Sequence, residues 1–296
     1  MDVIKATDMA PGKSSIHVVA GPPGLGKSWF CGTVGEIIPP EEVLLIATLA
    51  REVKSAKYQQ YDYDTIVCED PEWEPQSGIY KSTGYSSLVK TLRELRTDDK
   101  YGAVILDSGT EAGELAWHQA LEPWKVADPS EMGTSGNRFA PYTALDSYMD
   151  EIVRSLSKLA GHPAAGKLSV KRPKFVIITW HVQPPKETIG SDETADEKGE
   201  GIEYEGSVLP MIRGRFRRRL GQLIDSFVYA DRQAVMDPKT TRTSVQHVIQ
   251  VRSTKEKHCK FPGILPDGVN FIPNSFPAFI NLMNESVELL REQDSK

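Results

Sequence analysis

Cysteine is scarce in this 296-residue chain: Cys31, Cys68 and Cys259 are odd in number and far apart. Their spacing builds neither a disulfide framework nor a C-x-x-C metal site, which points to a reducing compartment. Long apolar runs are also missing, since no stretch reaches the roughly 18 residues that a membrane span needs. Met1–Lys13 carries acids and has no continuous apolar core, so it does not read as a secretory signal. A cytoplasmic protein with no membrane partner is the expectation. Positive charge is in deficit as well, with 35 Lys and Arg against 41 Asp and Glu and a net charge of −6. That balance excludes wholesale coating of nucleic acid, so any such contact must come from local basic patches. Two are present, Arg213–Arg219 and Arg252–Lys260. What remains is ordinary: hydrophobic residues at 39% and charged residues at 26% suit a globular protein with a proper core.

The apolar residues come in short runs separated by helical patterns. Ile16–Ala20 is a buried strand feeding a glycine turn, and a helix after Lys27 is predicted to run to about Ile38, where Pro39-Pro40 stops it. Val43–Leu49 and Thr65–Cys68 read as strands, and Ser86–Arg96 as an amphipathic helix. Tyr101–Leu106 is a strand ending in Asp107. Helical stretches follow near Glu111–Leu121 and Tyr142–Leu159, and then comes the apolar strand Lys174–Trp180. Such alternation predicts an α/β fold, with a mostly parallel central sheet covered by helices on both faces. Pro184–Gly206 is acidic and poor in large apolar residues and reads as a mobile loop. Ser226–Met236 and Ser244–Thr254 read as late antiparallel strands at one edge, joined around Asp237-Pro238. A closing helix is expected over about 277–292. With no repeat and no linker, residues 1–296 read as one domain with its core at about 14–270.

The chemistry is concentrated at Gly21-Pro22-Pro23-Gly24-Leu25-Gly26-Lys27-Ser28, which fits G-x-x-x-x-G-K-[ST] completely. Glycines let backbone N–H groups converge on phosphate oxygens, and the helix N-terminus adds its dipole. In that pattern Lys27 reaches the β- and γ-phosphates and the Ser28 hydroxyl binds Mg²⁺, so ATP and Mg²⁺ are the expected cofactors. A chance match arises in only about 1% of chains this long, and the flanking strand and helix are right. Asp107, ending an apolar strand, is placed to hold Mg²⁺ or its water; the competing reading is a helix cap. Hydrolysis needs a carboxylate to orient or deprotonate water, for which Glu52 is preferred over Glu111. Thr179 and His181 end the next strand, where His181 is a γ-phosphate sensor or simply a satisfied imidazole. Arg213, Arg215, Arg217 and Arg218 are candidates for phosphate-backbone contact or for action on a neighbour's nucleotide, against a solvated basic helix. Lys255 and Lys257 fall on one face of the second late strand, suited to reaching across a subunit boundary or to protecting an ordinary edge.

The order GPPGLGKS, VLLIATLARE, YGAVILDS, FVIITWH, an acidic loop and late basic residues resembles the RecA-like P-loop ATPases. It is closest to phage-encoded members with a minimal RecA core, some of which assist single-strand annealing in recombination. The resemblance implies an ATPase with Asp107 as the metal-side acid, Glu52 as the water-activating glutamate and His181 as sensor. It also implies that Pro184–Gly206 contacts DNA and that Lys255 and Lys257 act in trans. Its implied partners are single-stranded DNA, further copies of the chain in an oligomer or filament, and a single-strand DNA-binding protein. Its compartment is the cytoplasm of the host cell. Two other classes stay open on the residues alone: a P-loop kinase with Arg213–Arg219 as its lid, and a nucleotide-switched protein-binding module.

Overall fold

A computed structural model describes residues 15–132, 137–162, 170–183, 209–211, 220–236 and 243–294. Eight strands form the main sheet. They are β1 (Ser15–Ala20), β2 (Val43–Ala47), β3 (Asp64–Val67), β6 (Ala103–Asp107), β7 (Phe175–Trp180), β10 (Ser226–Met236), β11 (Thr243–Gln250) and β12 (Phe271–Pro273). Two short hairpins, β4 (Trp73–Glu74) with β5 (Ile79–Tyr80) and β8 (Val182–Gln183) with β9 (Leu209–Pro210), stand apart from it. The order across the sheet is β12-β11-β10-β1-β7-β6-β2-β3. Every pairing from β10 to β3 is parallel, and β11 and β12 add on antiparallel at one edge.

The central strands read as unbroken apolar runs because both sheet faces are covered. On one face Ile16, Val18, Leu44, Ile46, Val104, Leu106, Val176 and Ile178 pack under helices α3 (Gly84–Glu94), α4 (Gly109–Leu121) and α5 (Ala140–Leu159). On the other, Val19, Leu45, Ile105 and Ile177 meet Phe30 of α1 (Lys27–Gly32), Tyr58 of α2 (Ala56–Tyr61) and Phe276, Phe279 and Met283 of α6 (Phe276–Asp294). Full burial of one such side chain contributes about 1.5–3 kcal/mol, so this two-sided core fixes the sheet. Gly109 lets α4 start tight against β7, since a Cβ there would meet Trp180 at 2.6 Å.

Three expectations are corrected. The helix after Lys27 ends at Gly32 and passes into a 3₁₀ turn, Thr33–Glu36, well short of Ile38. The Tyr63 hydroxyl donates to the Gly32 carbonyl at 2.6 Å, and the Thr33 hydroxyl donates to the Phe30 carbonyl at 2.6 Å alongside the backbone N–H that this carbonyl also accepts. The second late strand stops at Gln250 and does not continue to Thr254, because Arg252 turns inward and donates to the carbonyls of Val269 and Pro266. Lys255 and Lys257 therefore do not share a strand face. The edge strand β12 and both hairpins are too short to leave a periodic signal.

Candidate nucleotide site

The C-terminal ends of β1, β6, β7 and β2 converge at one edge of the sheet. β1 runs straight into the Gly21–Ser28 turn, whose first amide donates to the Trp180 carbonyl at the end of β7 at 3.0 Å. Gly24 and Gly26 sit at φ 76° and 85°, a left-handed backbone that glycine adopts without the Cβ penalty. Ser28 lies in the first turn of α1, and its hydroxyl donates to Asp107 Oδ2 at 2.7 Å.

Asp107 is 4% exposed, and its carboxylate is bonded on all sides by hydroxyls. Besides Ser28, its carboxylate accepts from the Tyr58 hydroxyl at 2.8 Å and from the Thr179 hydroxyl. The cap of α4 is Ser108, whose Oγ accepts from the Glu111 amide, so Asp107 is not needed as a helix cap. The Asp107–Ser108 peptide is cis. A buried carboxylate beside a serine hydroxyl is a set of hard oxygen donors, and it fits Mg²⁺.

Lys27 is buried, and its ammonium donates to the carbonyls of Gly21 at 2.8 Å and Pro22 at 2.9 Å and approaches His181 Nδ1 at 3.3 Å. Burial lowers its pKa to about 8, against the opposing pull of Asp107. His181 is held down mainly by its own burial and then by the Lys27 charge, both of which favour the neutral imidazole. Its backbone amide is fixed by the Thr110 hydroxyl at 2.8 Å.

Glu52 sits on a 3₁₀ turn, Ala50–Lys54, just past β2. Its Oε2 accepts from the amides of Thr48 at 3.0 Å and Leu49 at 2.9 Å and from the Thr48 hydroxyl at 3.2 Å. Desolvation first, then repulsion from Asp107, pushes this carboxyl up to about 8. Thr48 also joins β2 to β6: its amide donates to the Asp107 carbonyl at 2.8 Å, and its Oγ accepts from the Ser108 amide at 2.8 Å. Glu111 lines a different wall, a cavity of about 290 Å³ shared with Glu69, Asp70, Glu114 and His118, and its carboxyl is raised by burial and then by Glu114.

The structure thus brings together the glycine turn, Lys27, Ser28, Asp107, His181 and Glu52. It does not bring the late lysines there in the same chain. Lys257 is paired with Asp231 at 2.6 Å, and Lys255 is exposed in the segment after β11. Arg213, Arg215, Arg217, Arg218 and the 184–206 loop lie outside the described residues. Tyr58 and Thr48 were not singled out from the sequence. Each is one polar residue in an otherwise ordinary segment, with no motif to mark it.

Strand order carries the fold assignment. The strand bearing the glycine turn and the strand bearing the acid are separated by one parallel strand, β7, and antiparallel strands follow at the far edge beyond β10. On these observations the fold class is that of the RecA-like P-loop proteins. No family model and no curated protein matches the chain. Among solved structures, the flagellar accessory protein FlaH from Methanocaldococcus jannaschii aligns at 12% identity over 87% of this chain and 85% of that one, with a TM-score of 0.38. The RadB recombinase aligns at 14% identity over 85% and 91%, with a TM-score of 0.34. An ATPase from the type III secretion system of pathogenic bacteria aligns at 13% identity over 74% and 52%, with a TM-score of 0.37. Scores this low add nothing to the site; the fold assignment stands on this chain's own sheet and turn.

Proposed function

We propose that this RecA-like chain binds ATP with Mg²⁺ in the Gly21–Ser28 turn and hydrolyses it. The observation that carries the reading is the 2.7 Å hydrogen bond from the Ser28 hydroxyl to the buried Asp107 carboxylate, which joins the turn to the acid of the adjoining sheet edge. Ser28 and Asp107 would hold the cation, whose chemistry is to draw charge from the phosphates. Lys27 would leave the loop carbonyls for the β- and γ-phosphates, a charge-assisted exchange worth about 1.5–3 kcal/mol. Glu52 would orient and deprotonate the attacking water, held in place by the Thr48 and Leu49 amides. His181, beside Lys27, would report the γ-phosphate through the strand that ends there.

The finer role is a phage-type protein that works on single-stranded DNA in recombination or replication and is oligomeric when active. Its support is the sequence resemblance together with the basic run Arg213–Arg219. The net charge of −6 and the acidic 184–206 segment oppose strong binding. Modest affinity that falls as salt rises is therefore expected, with each neutralised single-strand phosphate adding about −0.7 to the log–log slope. The test is ATP hydrolysis with and without single-stranded DNA, with oligomer size followed in parallel. Stimulation by DNA supports the role. Turnover indifferent to DNA at low salt removes it, and ADP formed only with a small phosphate acceptor makes the chain a kinase.

A further inference from the structure

The late strands reach back to the glycine turn in a way the sequence did not announce. Register places Arg232 of β10 directly opposite His247 of β11. Val248 lies opposite Pro273, so the row continues to Asn274, one residue past β12. Alternation puts this row on the same sheet face as Ala230, Ile249 and Ile272, which pack with Phe30 and Phe276 on the α1 and α6 side. Two of its members touch the turn. Arg232 Nη2 donates to the Gly24 carbonyl at 2.9 Å, and Asn274 Nδ2 donates to the Gly26 carbonyl at 3.1 Å. The second fit is close, since a Cβ on Gly26 would lie 2.4 Å from Asn274 Nδ2. Asn274 is 9% exposed, and its Oδ1 has no partner among the described residues, so the side chain spends its one hydrogen bond on the turn.

A trans peptide points its carbonyl and the following N–H in opposite directions. Drawing the Gly24 carbonyl outward onto Arg232 therefore turns the Leu25 amide inward. Drawing the Gly26 carbonyl onto Asn274 does the same for the Lys27 amide, and the Phe30 amide, donating to that carbonyl at 2.9 Å, acts in the same sense.

We propose that Arg232 and Asn274 are positioning residues of the phosphate turn: they hold the Gly24 and Gly26 carbonyls outward so that the Leu25 and Lys27 amides converge on the nucleotide's phosphates. The inference rests on the nucleotide reading above, and its test is chosen to separate the two. Full-length parent, Arg232→Ala, Arg232→Lys and Asn274→Leu are compared in two measurements. The first is amide hydrogen exchange across residues 21–28 in nucleotide-free protein; the second is MgADP affinity by calorimetry. Faster exchange of the Leu25 and Lys27 amides is expected in Arg232→Ala and Asn274→Leu. MgADP binding should weaken about tenfold, the size of one lost hydrogen bond, with both effects largely restored in Arg232→Lys. Unfolding midpoints confirm that the variants remain folded; Arg232 sits on a solvent-exposed part of its strand, so its variants keep the test decisive should Asn274→Leu not fold. Parent protein that fails to bind MgADP would remove the nucleotide reading, while the exchange comparison still decides the clamp. Unchanged exchange in the folded variants overturns the proposal, and so does faster exchange with undiminished affinity. Weaker MgADP binding in Arg232→Ala with unchanged exchange would overturn it too, leaving Arg232 a charge acting on the nucleotide directly.

Discussion

Replacing Glu52 with glutamine separates its chemical role from its electrostatic cost. In the nucleotide-free protein the carboxyl titrates near 8 instead of its usual 4.5, raised by desolvation and then by Asp107. Between those two values the unfolded chain has lost the proton and the native chain keeps it. The contribution is therefore fully present below about 4.5 and is lost as pH rises through 8. At 1.36 kcal/mol per unit, the raw cost at pH 7 is about 3 kcal/mol. The side chain is partly exposed, and solvent screening reduces this to about 1 kcal/mol. Glutamine keeps an acceptor for the Thr48 and Leu49 amides and has no proton to lose, so the penalty of holding the acid neutral beside Asp107 disappears. Glu52→Gln should thus melt about 2 °C above the parent at pH 7 and level with it near pH 4. It should bind MgATP as the parent does, since a water-activating carboxylate contributes little to ground-state binding. Single-turnover hydrolysis should fall about 10²–10⁴-fold. Parental hydrolysis by Glu52→Gln, or loss of hydrolysis in Glu111→Gln with Glu52→Gln active, would refute the assignment.

Asp107→Asn should raise the Mg²⁺ concentration needed for half-maximal turnover far more than it lowers the unfolding midpoint, because it keeps the shape and removes the charge; a normal Mg²⁺ dependence would count against the metal role. Lys27→Ala should hydrolyse ATP about 10–150-fold more slowly, having lost a charge-assisted contact worth about 1.5–3 kcal/mol. Mixed with Lys255→Ala it should regain part of the activity if Lys255 serves a neighbouring subunit, and no recovery at any ratio would confine Lys255 to a solvated loop. Lys257 is a poorer partner for that experiment, since Asp231 already holds it within the chain.

The parallel sheet was legible because burial on both faces writes each central strand as a continuous apolar run, as in Val43–Ala47 and Ala103–Asp107. The glycine turn was legible because its motif lies in consecutive residues, and Asp107 because it ends an apolar run. The end of α1 was not. It depends on Tyr63 taking the Gly32 carbonyl from 31 residues away, which no local propensity records. Likewise the strand reading of Ser244–Thr254 followed alternation alone, whereas an inward Arg252 ended it at Gln250. Tyr58 on Asp107 and Arg232 on Gly24 are bonds across 49 and 208 positions, invisible until the sheet is assembled.

The same long-range contacts explain why one carboxylate dominates the electrostatics of the site. Asp107 lies beneath Lys27, Ser28, Tyr58 and Thr179, and its charge acts on nearly every titratable neighbour. It pushes Glu52, Cys31 and Tyr58 upward on top of their burial, while it holds the Lys27 ammonium against the desolvation that lowers it. Each of these shifts records interaction with a charge that has only hydroxyls for direct partners. A cation bound there would neutralise that charge and lift the repulsion on Glu52, so its carboxyl would move down towards neutral pH, where a general base would be most effective. Lys27 would at the same time lose the anion that opposes its desolvation, and a phosphate could supply a new one. On the proposed function, cation, phosphate and base would thereby be coupled through a single buried side chain. On this reasoning the site is set for water activation only when both parts of Mg·ATP are in place, and ATP without the metal should leave Glu52 protonated and turnover negligible at pH 7.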